Sequence, residues 1–151
     1  MKIAIGCDHA GLALKRVLIE CLNAEGHEVH DFGTDSEDAV DYPDFVFPVA
    51  EAVVRGEADR GIFPCGSGLG PCIAANKVRG ISAVTCHDVF SAKSSRRDNN
   101  ANFLTMGQRV IGSGAAVEVL KAWLHEPFSG IERHQRRNDA IRAREQAEDA
   151  R

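Results

Sequence analysis

The sequence predicts an α/β fold built on a parallel sheet. Short β-type apolar runs alternate with helix-spaced apolar runs five times over, and a glycine-rich turn within residues 61–77 joins a buried apolar run directly to a helix. Such connections are right-handed crossovers, which set the strands parallel and gather strand-to-helix loops along the carboxyl edge of the sheet.

The first β-type run, residues 2–6, leads into Cys7-Asp8-His9-Ala10-Gly11, and Leu12, Lys15, Leu18, Ile19 and Leu22 then follow at helical spacing as far as Gly26. Asp8 and His9 thus stand where a strand hands over to a helix and a ligand is met. An N-cap role explains Asp8 equally well but leaves the histidine beside it unexplained. Residues 28–32 are a second strand and residues 33–38 a polar loop; Asp41-Tyr42-Pro43-Asp44 opens a helix with Val46, Val49, Ala50 and Val53 on one face, ending at Gly56. Tyr42, the only tyrosine, either packs as a staple at that entrance or reaches a ligand above the sheet.

A third strand ends in Gly61-Ile62-Phe63 and runs into Pro64-Cys65-Gly66-Ser67-Gly68-Leu69-Gly70-Pro71. Gly66, Gly68 and Gly70 allow backbone angles closed to other residues, and Pro71 suits the first position of a helix, where its missing N–H costs nothing. The turn therefore presents free backbone donors to an anion, with Cys65 and Ser67 at its edge. A thiol near a helix N-terminus ionises readily, which makes Cys65 a candidate base or nucleophile; a small apolar residue closing a buried strand is the plainer explanation. The glycine spacing matches neither G-x-G-x-x-G nor the Walker pattern, so nucleotide binding gains little support.

Residues 81–86 are a fourth strand, followed by His87-Asp88 and a polar helix over 89–97; Asp98-Asn99-Asn100-Ala101-Asn102 precedes a fifth strand at 103–106, and Gly107-Gln108-Arg109 follows it. The asparagines suit sugar hydroxyls, and turn chemistry explains them as well. Residues 115–125 form an amphipathic helix with Val117, Leu120, Trp123 and Leu124 inward. A last helix opens at Glu132, carrying Arg133 and Arg137 on one face with His134 beside them: either a phosphate clamp or a solvated basic face. The final dozen residues lack an apolar stripe and are expected to fray or to lie against a neighbouring subunit. All the loops named are expected at the carboxyl edge.

With 151 residues the chain has room for one domain with a proper core and is short for two. Apolar residues at 44% and charged residues at 26% exclude disorder, and a net charge of −4 gives no support to nucleic acid or an anionic membrane as partner. The first residues are too short an apolar run for a signal peptide, and nothing approaches the ~20 apolar residues of a membrane span, so a cytoplasmic location is expected. Five cysteines, at 7, 21, 65, 72 and 86, without C-x-x-C spacing point to reduced thiols. His27 and His30 flank Val29 as surface histidines, and no metal site is expected.

These motifs resemble the family of ribose-5-phosphate isomerase type B and galactose-6-phosphate isomerase. The resemblance runs from Met1 to about Ile141 and rests on Gly6-Cys7-Asp8-His9-Ala10-Gly11, Asp41-Tyr42-Pro43, residues 65–70 with Ile73-Ala74-Ala75-Asn76-Lys77, Asn99-Asn100-Ala101-Asn102, and Arg133-His134-Gln135-Arg136-Arg137. It implies a sugar-phosphate isomerase domain spanning 1–151, with 138–151 a charged helical tail. The implied architecture is a Rossmann-like three-layer sandwich whose five-stranded parallel sheet is ordered 2-1-3-4-5. It further implies a homodimer or dimer of dimers with shared active sites, a small phosphorylated sugar as ligand, and no metal or organic cofactor. By position, Cys65 becomes the base that moves a proton between C1 and C2 of the open-chain sugar. Ser67 and the N–H groups of Gly66, Gly68 and Gly70 become the cradle of the enediolate oxygen. Phosphate falls to His9, Arg109, Arg133 and Arg137, and Asp8, Tyr42, Asn99 and His134 become substrate-binding positions, with Asn99 and Arg109 expected from the second subunit. A family branch lacking the cysteine carries a glutamate where this chain has Pro71, which leaves Cys65 as the only base candidate.

The chain departs from the family pattern at Asp98, where ribose-phosphate isomerases of this family carry a histidine that opens the furanose ring. An aspartate acts as acid or base at a different pKa, His87 is the other imidazole to consider, or no ring needs opening. A tetrose 4-phosphate cannot close to a furanose because its O4 is esterified. The readings left open are therefore an isomerase of ribose 5-phosphate, the same chemistry on a tetrose or hexose phosphate, and a non-catalytic sugar-phosphate-binding protein.

Overall fold

The computed structural model describes residues 1–151. Five strands, β1 (Lys2–Ile5), β2 (Glu28–Asp31), β3 (Arg60–Cys65), β4 (Ala83–Thr85) and β5 (Phe103–Gly107), form one parallel sheet. Helices α1 (Leu12–Ala24), α4 (Val89–Arg97) and α5 (Ser113–His125) cover one face, and α2 (Pro43–Val54) and α3 (Leu69–Ala75) the other. This is the expected three-layer α/β sandwich, but the strand order is β2-β1-β3-β5-β4 rather than 2-1-3-4-5. Burial explains the exchange: every residue of β5 is buried, as befits an interior strand, whereas two of the three residues in β4 are half-exposed.

Alternation along the strands builds both core layers. Ile3, Ile5, Ile62, Leu104 and Met106 point to the α1/α4/α5 side, where Leu18, Leu22, Leu120 and Trp123 meet them, and Ala4, Phe63 and Phe103 point to Val46, Val49 and Ala50 of α2.

The free edge of β4 is short and partly masked. In β4 the even-numbered neighbours pair with β5, since Cys86 N–H donates to Thr105 and Asn102 N–H to Ser82, so Ala83 and Thr85 face outward. The Asn76 carboxamide answers Ala83 like a strand: its oxygen accepts Ala83 N–H at 2.8 Å and its nitrogen donates to Ala83 C=O at 3.0 Å.

Helix α6 (Glu132–Asp149) crosses the amino edge of the sheet. It does not fray: Asn138 donates to the Asp98 carbonyl, Glu145 accepts the Gly80 N–H, and Arg79 pairs with Asp149 at 2.7 Å. Polar contacts of this kind leave no apolar stripe to read in the sequence. No helix is long and apolar enough to cross a membrane.

Pro64 lies inside a central strand without disturbing it. Ile62 bonds toward β1 while Gly61 and Cys65 bond toward β5, so by alternation the missing N–H of Pro64 falls on the β1 side, beyond the last pairing of Ile5 with Ile62. There β1 has already turned away, and Gly11 lies so close that a Cβ would sit 2.2 Å from the Pro64 oxygen and 2.8 Å from the Cys65 nitrogen. Both obstacles are backbone, so Gly11→Ala is expected to lower stability by about 3 kcal/mol. Gly114→Ala in α5, with nothing within 4 Å, should be neutral or stabilising by up to about 1 kcal/mol; denaturant midpoints of the two variants check both.

Candidate active site

The close approach at Gly11 sets the Asp8–His9 loop beside the end of β3. Asp8 is buried, and its Oδ1 accepts the N–H groups of Ala10 and Gly11 at 3.0 and 3.1 Å, leaving Oδ2 without a partner in the chain. The capping role thus takes one of its two oxygens and leaves the other unused. His9 accepts the Val40 N–H on Nδ1 at 3.2 Å, so the neutral ring carries its proton on Nε2. The loop that supplies Val40 is anchored by Lys15, whose buried ammonium donates to Asp31, to the Thr34 carbonyl and to Asp35. Burial works against that charge, and the bonds to Asp31 and Asp35 outweigh it, holding the amine above its ordinary pKa.

Gly66, Gly68 and Gly70 are glycine for three different reasons. Only Gly68 has a left-handed backbone, φ +82°; a Cβ on Gly70 would sit 2.6 Å from Cζ of the Tyr42 ring, and one on Gly66 would lie 3.3 Å from the Arg109 guanidinium. Tyr42 therefore packs on the turn and lines the cleft with it. Pro71 is the third residue of α3 rather than the first, still within the turn whose N–H groups have no helical acceptor. Gly68 N–H donates to Cys65 Sγ at 2.9 Å and Leu69 N–H to Ser67 Oγ at 3.2 Å, while the amides of Gly66, Ser67 and Gly70 make no hydrogen bond within the chain.

Asp8, His9, Tyr42, Cys65, Gly66, Ser67, Gly70 and Arg109 line one cleft of about 230 Å³. Arg109 belongs to it from the same chain, because β5 ends in register with β3: Arg109 N–H donates to the Gly66 carbonyl at 3.1 Å and Gln108 N–H to the Cys65 carbonyl at 2.7 Å. This corrects its assignment to a second subunit. Gln108 also accepts the Leu14 N–H, tying α1 to the end of β3. Among the other buried thiols, burial pushes Cys7 and Cys86 each up to about 11, so both remain protonated at neutral pH.

Asp98, Asn99, Arg133, His134 and Arg137 are not in this cleft. Asp98 ends α4 and Asn99 precedes β5, so they lie at the amino edge, against the expectation that every named loop leaves the carboxyl edge. Register separates the edges by the length of β3, four steps from Gly61 to Cys65, about 13 Å. Asn102 is structural, accepting the Ser82 N–H and donating to the Gly80 carbonyl, and Asn100 takes φ +51°, a conformation asparagine tolerates. Asp98 accepts from Arg97 at 2.9 Å and from Ser94 at 2.8 Å, with His134 Nε2 at 3.7 Å; these bonds, that to Arg97 foremost, hold its carboxyl below the usual carboxylate range. His134 is buried, with Nδ1 on Ser129 Oγ at 2.7 Å. Arg133 and Arg137 are exposed and pair with no acid. The largest cleft, about 620 Å³, is also on this side, between α6, β4 and Asn99. His87 is committed within the chain: its Nε2 accepts the Gly107 N–H at 2.8 Å, and burial lowers its pKa.

Val40 and Lys15 were missed as contributors. Val40 acts through its backbone and leaves no signal, whereas a lysine at an inward position among Leu12, Leu18 and Leu22 was a visible anomaly.

Comparison with known proteins bears on this geometry. A family model described as ribose/galactose isomerase matches residues 3–141. Ribose-5-phosphate isomerase B of Escherichia coli is 48% identical over 96% of this chain and 97% of its own length. D-erythrulose-4-phosphate isomerase 2 of Mycolicibacterium smegmatis is 47% identical over 85% of this chain and 86% of its own. The structure of Clostridium thermocellum ribose-5-phosphate isomerase B superposes with a TM-score of 0.95 at 49% identity, over 97% of this chain and 99% of that one. With a matched model and full-length relatives of this similarity, the chain belongs to the ribose/galactose isomerase family.

Proposed function

We propose that this chain is an aldose–ketose isomerase that interconverts ribose 5-phosphate and ribulose 5-phosphate through an enediolate. The observation that carries the proposal is the single cleft in which the Cys65 sulfur, the Ser67 hydroxyl and the unused amides of Gly66, Ser67 and Gly70 meet. Removing a proton from carbon beside a carbonyl needs a base in reach and donors at the oxygen that becomes negative, each such donor contributing about 3–4 kcal/mol to the transition state. Cys65 takes the proton from C2 and returns it to C1, the hydroxyl proton of O2 passes to O1, and the turn and Ser67 hold the oxygen that is negative in the enediolate. Asp8 and Tyr42 contact the sugar hydroxyls, and His9 Nε2–H and Arg109 reach the phosphate.

Arg133, Arg137, His134 and Asn99 complete the site from a second copy, because in one chain they lie at the opposite edge of the sheet from Cys65. A homodimer, or a dimer of dimers, is the assembly this requires. Reduced cysteines suit a cytoplasmic location.

Asp98 favours a second reading, the same chemistry on erythrose or erythrulose 4-phosphate. Ring opening needs a proton delivered to the ring oxygen, and a carboxylate held ionised by Arg97 and Ser94 has none to give at neutral pH. A tetrose 4-phosphate makes no such demand.

Cys65→Ala is expected to lower kcat by about 10²–10⁴-fold in a coupled assay while leaving sugar-phosphate binding nearly unchanged. Retained turnover would sink the base assignment. Asp98→His should raise kcat/KM for ribose 5-phosphate about tenfold and leave that for erythrose 4-phosphate alone, if ring opening limits the wild type. A wild type that already prefers ribose 5-phosphate would remove the second reading. Co-expressed Cys65→Ala and Arg137→Ala chains should regain activity that neither shows alone, since a mixed dimer contains one intact site; no regain would place Arg137 in its own chain's site.

A further inference from the structure

Beneath the glycine turn lies a chain of hydroxyls that the mechanism above does not use. Thr105 is wholly buried in β5, and its Oγ1 lies 2.7 Å from Oγ1 of Thr85, its register partner in β4. Thr85 Oγ1 in turn donates to the Gly68 carbonyl at 3.1 Å. Thr105 Oγ1 also lies 3.4 Å from the Val84 carbonyl, and the shorter onward contact, Thr85 to Gly68, favours the order of donation Thr105 to Thr85 to Gly68. The Thr85 methyl adds a steric stop, 3.0 Å from where a Gly68 Cβ would stand.

The held carbonyl belongs to the Gly68–Leu69 peptide, whose N–H donates to Ser67 Oγ at 3.2 Å. Both ends of one peptide plane are thereby fixed, its oxygen from below by Thr85 and its N–H from above by Ser67. Two consequences reach the cleft. Ser67 spends an acceptor lone pair on Leu69, which leaves its hydroxyl hydrogen free for a ligand oxygen. Gly68, locked at φ +82°, keeps its own N–H on the Cys65 sulfur at 2.9 Å.

We propose that Thr85, backed by Thr105, is a positioning residue of the isomerase: it clamps the Gly68–Leu69 peptide so that Ser67 and the Cys65 sulfur hold their reactive orientation. The proposal rests on the isomerase reading. Thr85 touches neither sulfur nor sugar, so its loss falls on kcat rather than on substrate binding. Thr85→Val keeps shape and methyl and removes only the hydroxyl. It is expected to lower kcat about tenfold with KM within about twofold, as the loss of one hydrogen bond felt in the transition state predicts. Thr85→Ser restores the donor and should recover most of that rate at an unchanged melting temperature. If Thr85→Val does not fold, Thr85→Ala takes its place and must show the same fall in kcat.

The variants are assayed beside the wild type and Cys65→Ala on ribose 5-phosphate and erythrose 4-phosphate. A Val variant with wild-type kcat, a Ser variant as slow as Val, or a loss confined to KM overturns the Thr85 assignment while wild-type turnover keeps the isomerase reading intact. No turnover of either sugar phosphate by the wild type overturns both.

Discussion

Backbone lies directly on backbone at the carboxyl edge of the sheet, and the cleft depends on it. Gly11 touches the Pro64 carbonyl, Gly107 lies against Ser67, where a Cβ would stand 2.6 Å from its carbonyl oxygen, and Gly68 nests against Met106 and Gly107. The three contacts make two junctions: the first sets the Asp8–His9 loop on the end of β3, and the other two set the Cys65 turn on the end of β5. Side chains would hold these segments several ångströms apart, and the groups that converge on the cleft would then be out of one another's reach. The parallel register supplies the rest, since β3 and β5 end opposite one another at Cys65 and Gly107.

The same connectivity that assembles the cleft keeps the other expected site residues away from it. A parallel α/β sheet sends each strand-to-helix loop to one edge and each helix-to-strand loop to the other. Asp98 and Asn99 belong to the second kind, and α6 crosses beneath them with its exposed arginines. Within one chain His9 and Arg109 line the cleft, while Arg133 and Arg137 face outward from the opposite side. This division accounts for why the proposed activity calls for two copies.

Much of this is legible in the sequence. Alternating periodicities indicate the elements, Cys65, Asp8 and His9 stand out at strand ends, and Tyr42 stands out at a helix entrance. The positions of Asp98 and Asn99 were also within reach, because a loop between a helix and the next strand must lie at the amino edge. The exchange of β4 and β5 was less accessible: right-handed crossovers limit the side on which a strand is added but not whether the next one slips between. What composition could not reveal is contact made by backbone, as in the Val40 amide on His9, and glycine chosen for space rather than for angle, as at Gly70 under Tyr42.

An open sheet ends in a strand whose outer groups are unpaired, and such an edge recruits strands from other molecules. At the β4 edge only Ala83 and Thr85 face outward, and the Asn76 carboxamide occupies both groups of Ala83. One residue of template remains there, too little to nucleate an intermolecular ladder at this edge. A partner that meets the β4 edge must therefore recognise side chains instead of adding to the sheet, whereas β2 at the opposite edge pairs only on its β1 side and keeps an exposed outer edge open to strand addition.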